Sequence, residues 1–365
     1  MRILLVIEPS GGGSGRHLVD LAGALIGSGH QVSLVWSPRR ADPWFEDEVA
    51  ALPFRALEPL PMQRAVGPWD IAALVALNRL IGRLGPFEIV HGHSAKAGAL
   101  ARLAHAPGSA KIYTPHALPM MGSPRFSTAL AGMTEFLLAR IGDAIIAVSD
   151  EEASVARLWG LARQPLHVIP NGLAVLPSTN RQAARRLLNA PDDALVVGLV
   201  GRLCAQKDPV KFARAVRLAH TADARVIGMM IGDGDLAKAV RTAGGDAIRL
   251  MGARDARTVM AGFDLFAMTS RYEASSYAMI EAAALGLPIV TTDVGGIAPL
   301  TDAGARIDRL PRDASPEQLA QAMLAALQSR VVPLPLAKHP LSAARMAERT
   351  IQVYRDAFTL RRLGG

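Results

Sequence analysis

Two cations, Arg202 and Lys207, stand five residues apart, just past an apolar run at 195–200. Arginine offers a rigid fork of donors and lysine a mobile point charge, a combination suited to a diphosphate. Gly201 before them lets backbone come close to such a ligand. Two carboxylates, Glu273 and Glu281, are separated by seven residues in EASSYAMIE. A helix starting near Ser276 leaves Glu273 on the preceding loop and Glu281 more than one turn inside, where either accepts hydrogen bonds from paired hydroxyls of a sugar. The plainer readings stand beside these: lone cations at a strand end are usually solvated, and two glutamates at such spacing are commonplace.

The N-terminal half has its own candidates. A glycine loop, GGGSGR at 11–16, follows a short apolar run and precedes a helical pattern. Its glycines permit close approach, and the helix start offers N–H groups to an anion. It departs from the dinucleotide fingerprint, because the sixth position counted from Gly11 is Arg16 and the second strand runs into Trp36-Ser37 rather than an acid. No Walker-type GK[ST] occurs. His91 and His93 follow a predicted strand, and His116 follows another, at the carboxyl ends where parallel sheets place ligands. His-x-His invites a metal, but no third ligand stands at helical spacing and HExxH is absent, so no metal is expected. Asp233 and Asp235 alternate with glycines whose turn-forming need explains the string.

The elements that must position these residues alternate almost throughout. Strands are predicted at 2–8, 31–36, 87–91, 111–114, 144–148 and 166–169, with helices over 17–26, 95–105, 128–140 and 151–159 between them. After Pro170-Asn171-Gly172 a turn-rich stretch, LAVLPSTN, precedes a helix over 181–188. The alternation then restarts, with strands at 195–200, 225–231, 248–251, 265–269 and 288–292. Continuous apolar runs flanked by helices imply parallel sheets covered on both faces. The expected fold is α/β, with two Rossmann-like doubly wound domains facing each other across a cleft: 1–172, and 173–341 beyond the joint. Ser315 and Pro316 open a helix over 318–328. VVPLPLAKHP at 331–340 cannot be regular helix, and a last helix from about 342 is expected to return to the first domain.

Length and composition agree with this division. The chain has 365 residues, 50% of them apolar and 20% charged, which argues for two folded domains and against disorder. One cysteine, Cys204, excludes an internal disulfide framework and fits a reducing cytoplasm. No run of about 20 apolar residues exists to span a bilayer. The net charge of +8 is unevenly spread: residues 60–140 carry 8 basic and 3 acidic side chains, net +5, and residues 171–365 carry 25 and 18, net +7. Few aromatics and no zinc-finger spacing argue against nucleic acid. A polyphosphate ligand and an anionic membrane surface remain as explanations. The second is supported by the basic and apolar mixture of Met62, Arg64, Trp69, Arg79, Arg83 and ALPMMGSPRFSTALAGM.

Taken in order, the strings GGGSGRH, HGHSAKAG, TPHA, AVSDEE, VIPNG, GRLCAQKDP, IGDGDL, MGARDA and TSRYEASSYAMIEAAALGLPIVTTDVGG resemble the retaining glycosyltransferases of family four, with the GT-B fold. They span residues 11 to 296. The resemblance implies an acceptor held by the first domain and a UDP- or GDP-linked sugar by the second, transferred with retention and without metal. It implies that Gly201, Arg202 and Lys207 hold the diphosphate, that Glu281 accepts from the ribose, and that Glu273 accepts from the transferred sugar. Backbone at Ser276 and Tyr277 would touch phosphate or sugar, Arg254 would border the base, His116 would meet the sugar near its reacting carbon, and Gly13 would approach the phosphate or acceptor. Members of the family commonly carry glycine after the first glutamate, where this chain has Ala274, Ser275 and Ser276. The resemblance further implies a lipid-linked saccharide acceptor, exopolysaccharide synthesis and a cytoplasmic enzyme peripheral on the inner face of the cell membrane. Other uses of such a scaffold are a nucleotide-sugar epimerase or hydrolase, or a non-catalytic donor-binding partner.

Overall fold

In a computed structural model that describes residues 1–122, 126–174, 180–328 and 341–363, the chain divides into two units, Met1–Ala174 with Ser342–Gly365, and Val175–Leu341. The predicted non-helical stretch 331–340, most of the turn-rich joint (175–179) and part of the loop after His116 (123–125) lie outside the described residues.

The first unit runs β1 (Arg2–Ile7), α1 (Gly12–Gly27), β2 (Gln31–Trp36), α2 (Pro43–Ala51), β3 (Ala56–Pro59), α3 (Trp69–Leu84), β4 (Ile89–His93), α4 (Ala95–Leu103), β5 (Ala110–Thr114), α5 (Phe126–Leu138), β6 (Ala144–Ala147), α6 (Asp150–Leu158) and β7 (Leu166–Val168). Its sheet is parallel throughout, in the order β3-β2-β1-β4-β5-β6-β7. The period-two geometry of β1 sends Ile3, Leu5 and Ile7 into a core shared with α1, and Leu4 and Val6 into a second core with α3 and α4. Both faces are thereby buried, which is why the strand reads as one apolar run.

The second unit runs α7 (Arg181–Leu188), β8 (Leu195–Val200), α8 (Pro209–Ala222), β9 (Val226–Ile231), α9 (Ala237–Gly244), β10 (Ile248–Leu250), β11 (Leu265–Met268), α10 (Tyr277–Ala284), β12 (Ile289–Thr292), α11 (Ala298–Asp302), β13 (Ile307–Leu310) and α12 (Pro316–Leu327). Its parallel sheet has the order β10-β9-β8-β11-β12-β13. Ser315 closes a capping box with Gln318 at the start of α12. The chain then returns to the first unit as α13 (Ala343–Leu363), whose Met346, Ile351 and Tyr354 join the α1 face of that core. A parallel bridge between Leu173 and Ser342 brings the two passages together.

Each sheet reverses its winding once, between β1 and β4 and between β8 and β11, and such switch points are where doubly wound sheets open a crevice at the strands' carboxyl ends. The structure corrects the sequence reading in several places. α2, β3, α11 and β13 went unpredicted, and α3 was foreshadowed only by the helical spacing of Leu74, Leu77 and Ile81, of which Leu77 and Ile81 are buried in the core. The strand expected at 87–91 lies two residues later, so His91 and His93 belong to β4 itself, in register with Leu5 and Ile7 of β1. Met62, read as a surface residue, packs with Leu77 and Ile81 of α3 inside the second core.

Candidate functional site

In the second unit Gly201, Arg202 and Lys207 stand on the loop after β8 and Glu273 on the loop after β11, which leads into α10 with Tyr277 and Glu281, while Arg254 follows β10. Gly201 has φ +148°, and a Cβ there would stand 3.1 Å from Lys207 Cε. Beyond it Leu203 N–H donates to Asp233 O, Lys207 N–H donates to Cys204 O, and Pro209 opens α8 after Asp208 at φ 47°. The loop after β11 is stitched to this one: Arg271 N–H donates to Gln206 O at 2.8 Å, Gln206 Nε2 donates to Tyr272 O at 3.1 Å, and Thr269 Oγ1 donates to Lys207 O and Asp208 O.

This stitching brings Lys207 Nζ to 2.6 Å from Glu273 Oε1, with Glu273 buried at 7% exposure. Arg202 is exposed and its side chain makes no hydrogen bond or ion pair among the described residues. Ser276 is the N-cap of α10, its Oγ accepting from Met279 N–H; Tyr277 is the first helical residue, and Glu281 lies buried one turn further. Ala274, Ser275 and Ser276 all avoid the left-handed region, so this loop needs no glycine at those positions. Arg254 is exposed, its Nε donating to Met251 O. The site thus has one guanidinium unpaired among the described residues, one ammonium neutralised by a carboxylate, a second buried carboxylate and a helix start.

The glycines of Gly232-Asp233-Gly234-Asp235 have a packing reason. Gly232, at φ +136°, would place a Cβ 2.1 Å from Gly201 O, and Gly234, at φ +157°, would place one 2.5 Å from Leu203 O. The cation loop therefore rests directly on this backbone. Gly232→Ala should lower stability by about 1–3 kcal/mol through backbone strain and overpacking. The midpoint of equilibrium denaturation measures it, and an unchanged midpoint would contradict the close approach.

In the first unit Gly13 lies exposed in the first turn of α1. The helix start is already partly served, since Gly12 N–H donates to Asp42 Oδ2 at 2.7 Å. His116 sits just past β5 with φ 55°, followed by Ala117 at φ 83°. Two successive non-glycine residues in the left-handed region cost about 1–2 kcal/mol each. The turn is held by the buried carboxylate of Glu152 on α6, which accepts from Ala117 N–H (2.7 Å), Leu118 N–H (3.1 Å) and Val148 N–H (2.9 Å). Burial pushes the Glu152 carboxyl up to about 7 against the pull of those three donors.

His116 does not stand alone. Its Nε2 lies 3.1 Å from His93 Nδ1, its ring is 4.5 Å from that of His17, and the rings of His91 and His93 lie 4.0 Å apart, tilted by 37°. His17 Nδ1 meets Asn171 Oδ1 at 2.9 Å. Burial lowers the basicity of all four imidazoles, His17 to about 4, and the neighbouring rings add to the effect for His91, His93 and His116. Sequence reasoning missed His17 and Asn171. The signal was present only as a histidine one turn past a glycine loop and an asparagine at a β-strand exit.

Two doubly wound parallel sheets, one carrying a histidine-lined loop and the other a cation-and-carboxylate edge, define a GT-B glycosyltransferase fold. The same fold appears in sucrose-phosphate synthase from Thermosynechococcus elongatus, with a TM-score of 0.78 and 19% identity over 99% of this chain and 100% of that one. It also appears in Anabaena HepE solved with UDP and glucose, with a TM-score of 0.71 and 19% identity over 100% and 98%. The Glycosyltransferase Family 4 model matches residues 11–175 and the Glycosyl transferases group 1 model matches residues 194–329. The chain belongs to the glycosyltransferases of family four.

Among curated relatives, the UDP-Gal:alpha-D-GlcNAc-diphosphoundecaprenol alpha-1,3-galactosyltransferase of Escherichia coli is 27% identical over 247 residues, 62% of this chain. The D-inositol 3-phosphate glycosyltransferase of Stackebrandtia nassauensis is 29% identical over 244 residues, 58% of this chain. The matched stretches span 63% and 54% of those relatives' own lengths.

Proposed function

We propose that this protein is a retaining hexosyltransferase, moving a hexose from a nucleoside-diphosphate sugar to a saccharide carried on a polyprenyl diphosphate during polysaccharide synthesis. The observation that carries the reading is the edge of the second sheet, where the loop of Arg202 and Lys207 is stitched to the loop of Glu273 that leads into α10 and Glu281. A diphosphate there meets two cations and a helix N-terminus, which takes over the task of a divalent ion in stabilising the leaving group. Glu273 and Glu281 then serve as acceptors for sugar and ribose hydroxyls, with backbone at Gly201, Ser276 and Tyr277 close to the phosphates and Arg254 beside the base. On the side of the first unit, His116 meets the reacting sugar and Gly13 approaches the acceptor or phosphate.

In the proposed step the bond from the anomeric carbon to the diphosphate oxygen breaks, and the acceptor oxygen bonds to the same face of that carbon. The acceptor's proton passes to the departing phosphate oxygen. This needs no protein nucleophile, and the side chains act on charge and orientation. The names of the relatives support the donor and acceptor classes, since one uses UDP-Gal with a diphosphoundecaprenol acceptor and HepE was solved with UDP and glucose.

The test is a thermal-shift screen of UDP- and GDP-linked hexoses on wild type and Glu281→Ala. One nucleotide class should stabilise the wild type, and Glu281→Ala should bind it about 10- to 100-fold more weakly, the effect of losing a charged hydrogen-bond acceptor. A wild type that responds to none of these donors would overturn the assignment.

We further propose a peripheral station on the cytoplasmic face of an anionic membrane. No helix among the described residues is long and apolar enough to cross one. Val66, Ile71 and Val75 are exposed on and before α3, with Arg64 and Arg79 nearby, and Leu130, Met133 and Leu137 form an exposed stripe on α5. Not all of the local positive charge is available: Arg102 is buried against Glu135, and Lys96 and Arg83 pair with Asp70 and Glu58. Each free cation near an anionic surface contributes about 1 kcal/mol, so the association should be reversible and lost at high salt. Complete recovery in the supernatant after sedimentation with anionic vesicles at low salt would contradict it.

A further inference from the structure

The histidines of the first unit go beyond a role in sugar contact. His17 from α1, His93 from β4 and His116 from the turn after β5 each place a ring nitrogen so that the three nitrogens lie within 4.8 Å of one another. We propose that this cluster is a binding site for a divalent transition-metal ion of the zinc, cobalt or nickel type.

Three features of the geometry point to a cation. First, His93 is 0% exposed, so an ion on its Nδ1 would be shielded from solvent on that side. Second, the supporting contacts resemble those that orient metal ligands. Asn171 Oδ1 accepts from His17 Nδ1–H, leaving His17 Nε2 as the lone pair, and such partners fix the tautomer of a ligating ring. His91 is excluded as a ligand, because Tyr354 Oη and Thr114 Oγ1 occupy both its nitrogens at 2.7 and 2.8 Å, but its ring walls one side of the cluster. Third, His93 Nδ1 and His116 Nε2, at 3.1 Å, already stand near the separation of about 3.4 Å that two nitrogens adopt around a tetrahedral ion with bonds of about 2.0–2.1 Å.

The donor set chooses the metal class. Three neutral imidazoles with no carboxylate suit zinc, cobalt, nickel or copper and do not suit magnesium or calcium, which take oxygen ligands. An ion replaces the single proton shared between His93 and His116, and the donating ring keeps its proton by shifting to its other tautomer. His116 is only half-buried, so water completes the coordination from that side. The site lies within the first unit and shares His116 with the proposed sugar contact, so ion and sugar would compete for that imidazole.

The test uses the full chain, freed of metal with a chelator and titrated with Co²⁺ alone while visible absorption is followed. One equivalent should produce the intense bands of a tetrahedral centre, Zn²⁺ should abolish them and Mg²⁺ should leave them unchanged. His17→Ala and His93→Ala should each remove the bands, and Asn171→Ala should weaken Co²⁺ binding about 10- to 100-fold. Should a buried substitution prevent folding, His116→Ala, checked by circular dichroism, gives the same reading from the half-exposed side. Absence of a stoichiometric centre in the wild type, or its persistence in a folded cluster variant, would overturn the proposal. Such persistence would assign the binding to other histidines, among them His30, His105 and His220.

Discussion

Replacing Arg202 or Lys207 with alanine should cut turnover about 100- to 1,000-fold, the usual loss when one oriented stabilising donor is removed from a transition state. The two variants should differ in their side effects. Arg202 is exposed and unpaired among the described residues, so Arg202→Ala should leave stability near that of the wild type and act through kcat. Lys207 lies 2.6 Å from the buried carboxylate of Glu273, so Lys207→Ala also leaves that charge without its partner. It should weaken donor binding and lower the unfolding midpoint as well. Steady-state kinetics paired with denaturant unfolding separate the two patterns. Unchanged kcat in both variants would remove the leaving-group role assigned to this edge.

The largest effect on stability is expected in the first unit, at Arg102 in α4. Its guanidinium is 1% exposed, donates through Nη2 to Glu135 Oε2 at 2.8 Å and through Nε to Gly98 O, and lies 4.0 Å over the ring of Tyr113. Tyr113 Oη in turn donates to Glu135 Oε1 at 2.9 Å, and burial together with the Glu135 charge pushes its phenol well above the ordinary value. Arg102→Ala strands the Glu135 carboxylate in a closed pocket. The expected cost is about 3–5 kcal/mol, because an uncompensated buried charge is far worse than an absent pair. The double variant Arg102→Met with Glu135→Gln should recover part of that loss. Equilibrium urea unfolding measures both, and a cost below about 1 kcal/mol for Arg102→Ala would show that the pair is dispensable.

Arg102 also shows where a linear reading stops. In the chain it is one more basic residue on a helical pattern, indistinguishable from a solvated face, and its burial depends on Glu135 from a helix 33 residues away. The same is true of the Lys207–Glu273 contact, which is made by two loops stitched through Gln206, Arg271 and Thr269. By contrast, the strand at 195–200 and the helix at 181–188 were legible to the residue, because continuous burial and clear caps leave a local trace. Ser315 and Pro316 announced the start of α12 in the same way. Strand β3 carried no such trace: it is a short edge strand, mostly half-buried, whose apolar content is too low to stand out. Helix α3 was obscured because its apolar residues point both ways, Leu77 and Ile81 inward and Ile71 and Val75 outward. Of the histidines, His116 could be placed by its position after a strand. His17 joined it only through the folding of α1 against the ends of β4 and β5.

The central claim is transfer of a sugar to a separate acceptor, and acceptor-dependent release of nucleoside diphosphate tests it most directly. The purified chain, incubated with the donor that stabilises it, should release diphosphate only slowly. A lipid extract containing polyprenyl-diphosphate saccharides should raise that rate strongly, with the new glycosidic bond in the anomeric configuration of the donor. Release, or conversion of the donor sugar, at the same rate with and without extract would contradict the account and point to a hydrolase or epimerase on this scaffold. Donor binding with no transfer to any extract would contradict it in favour of a non-catalytic partner.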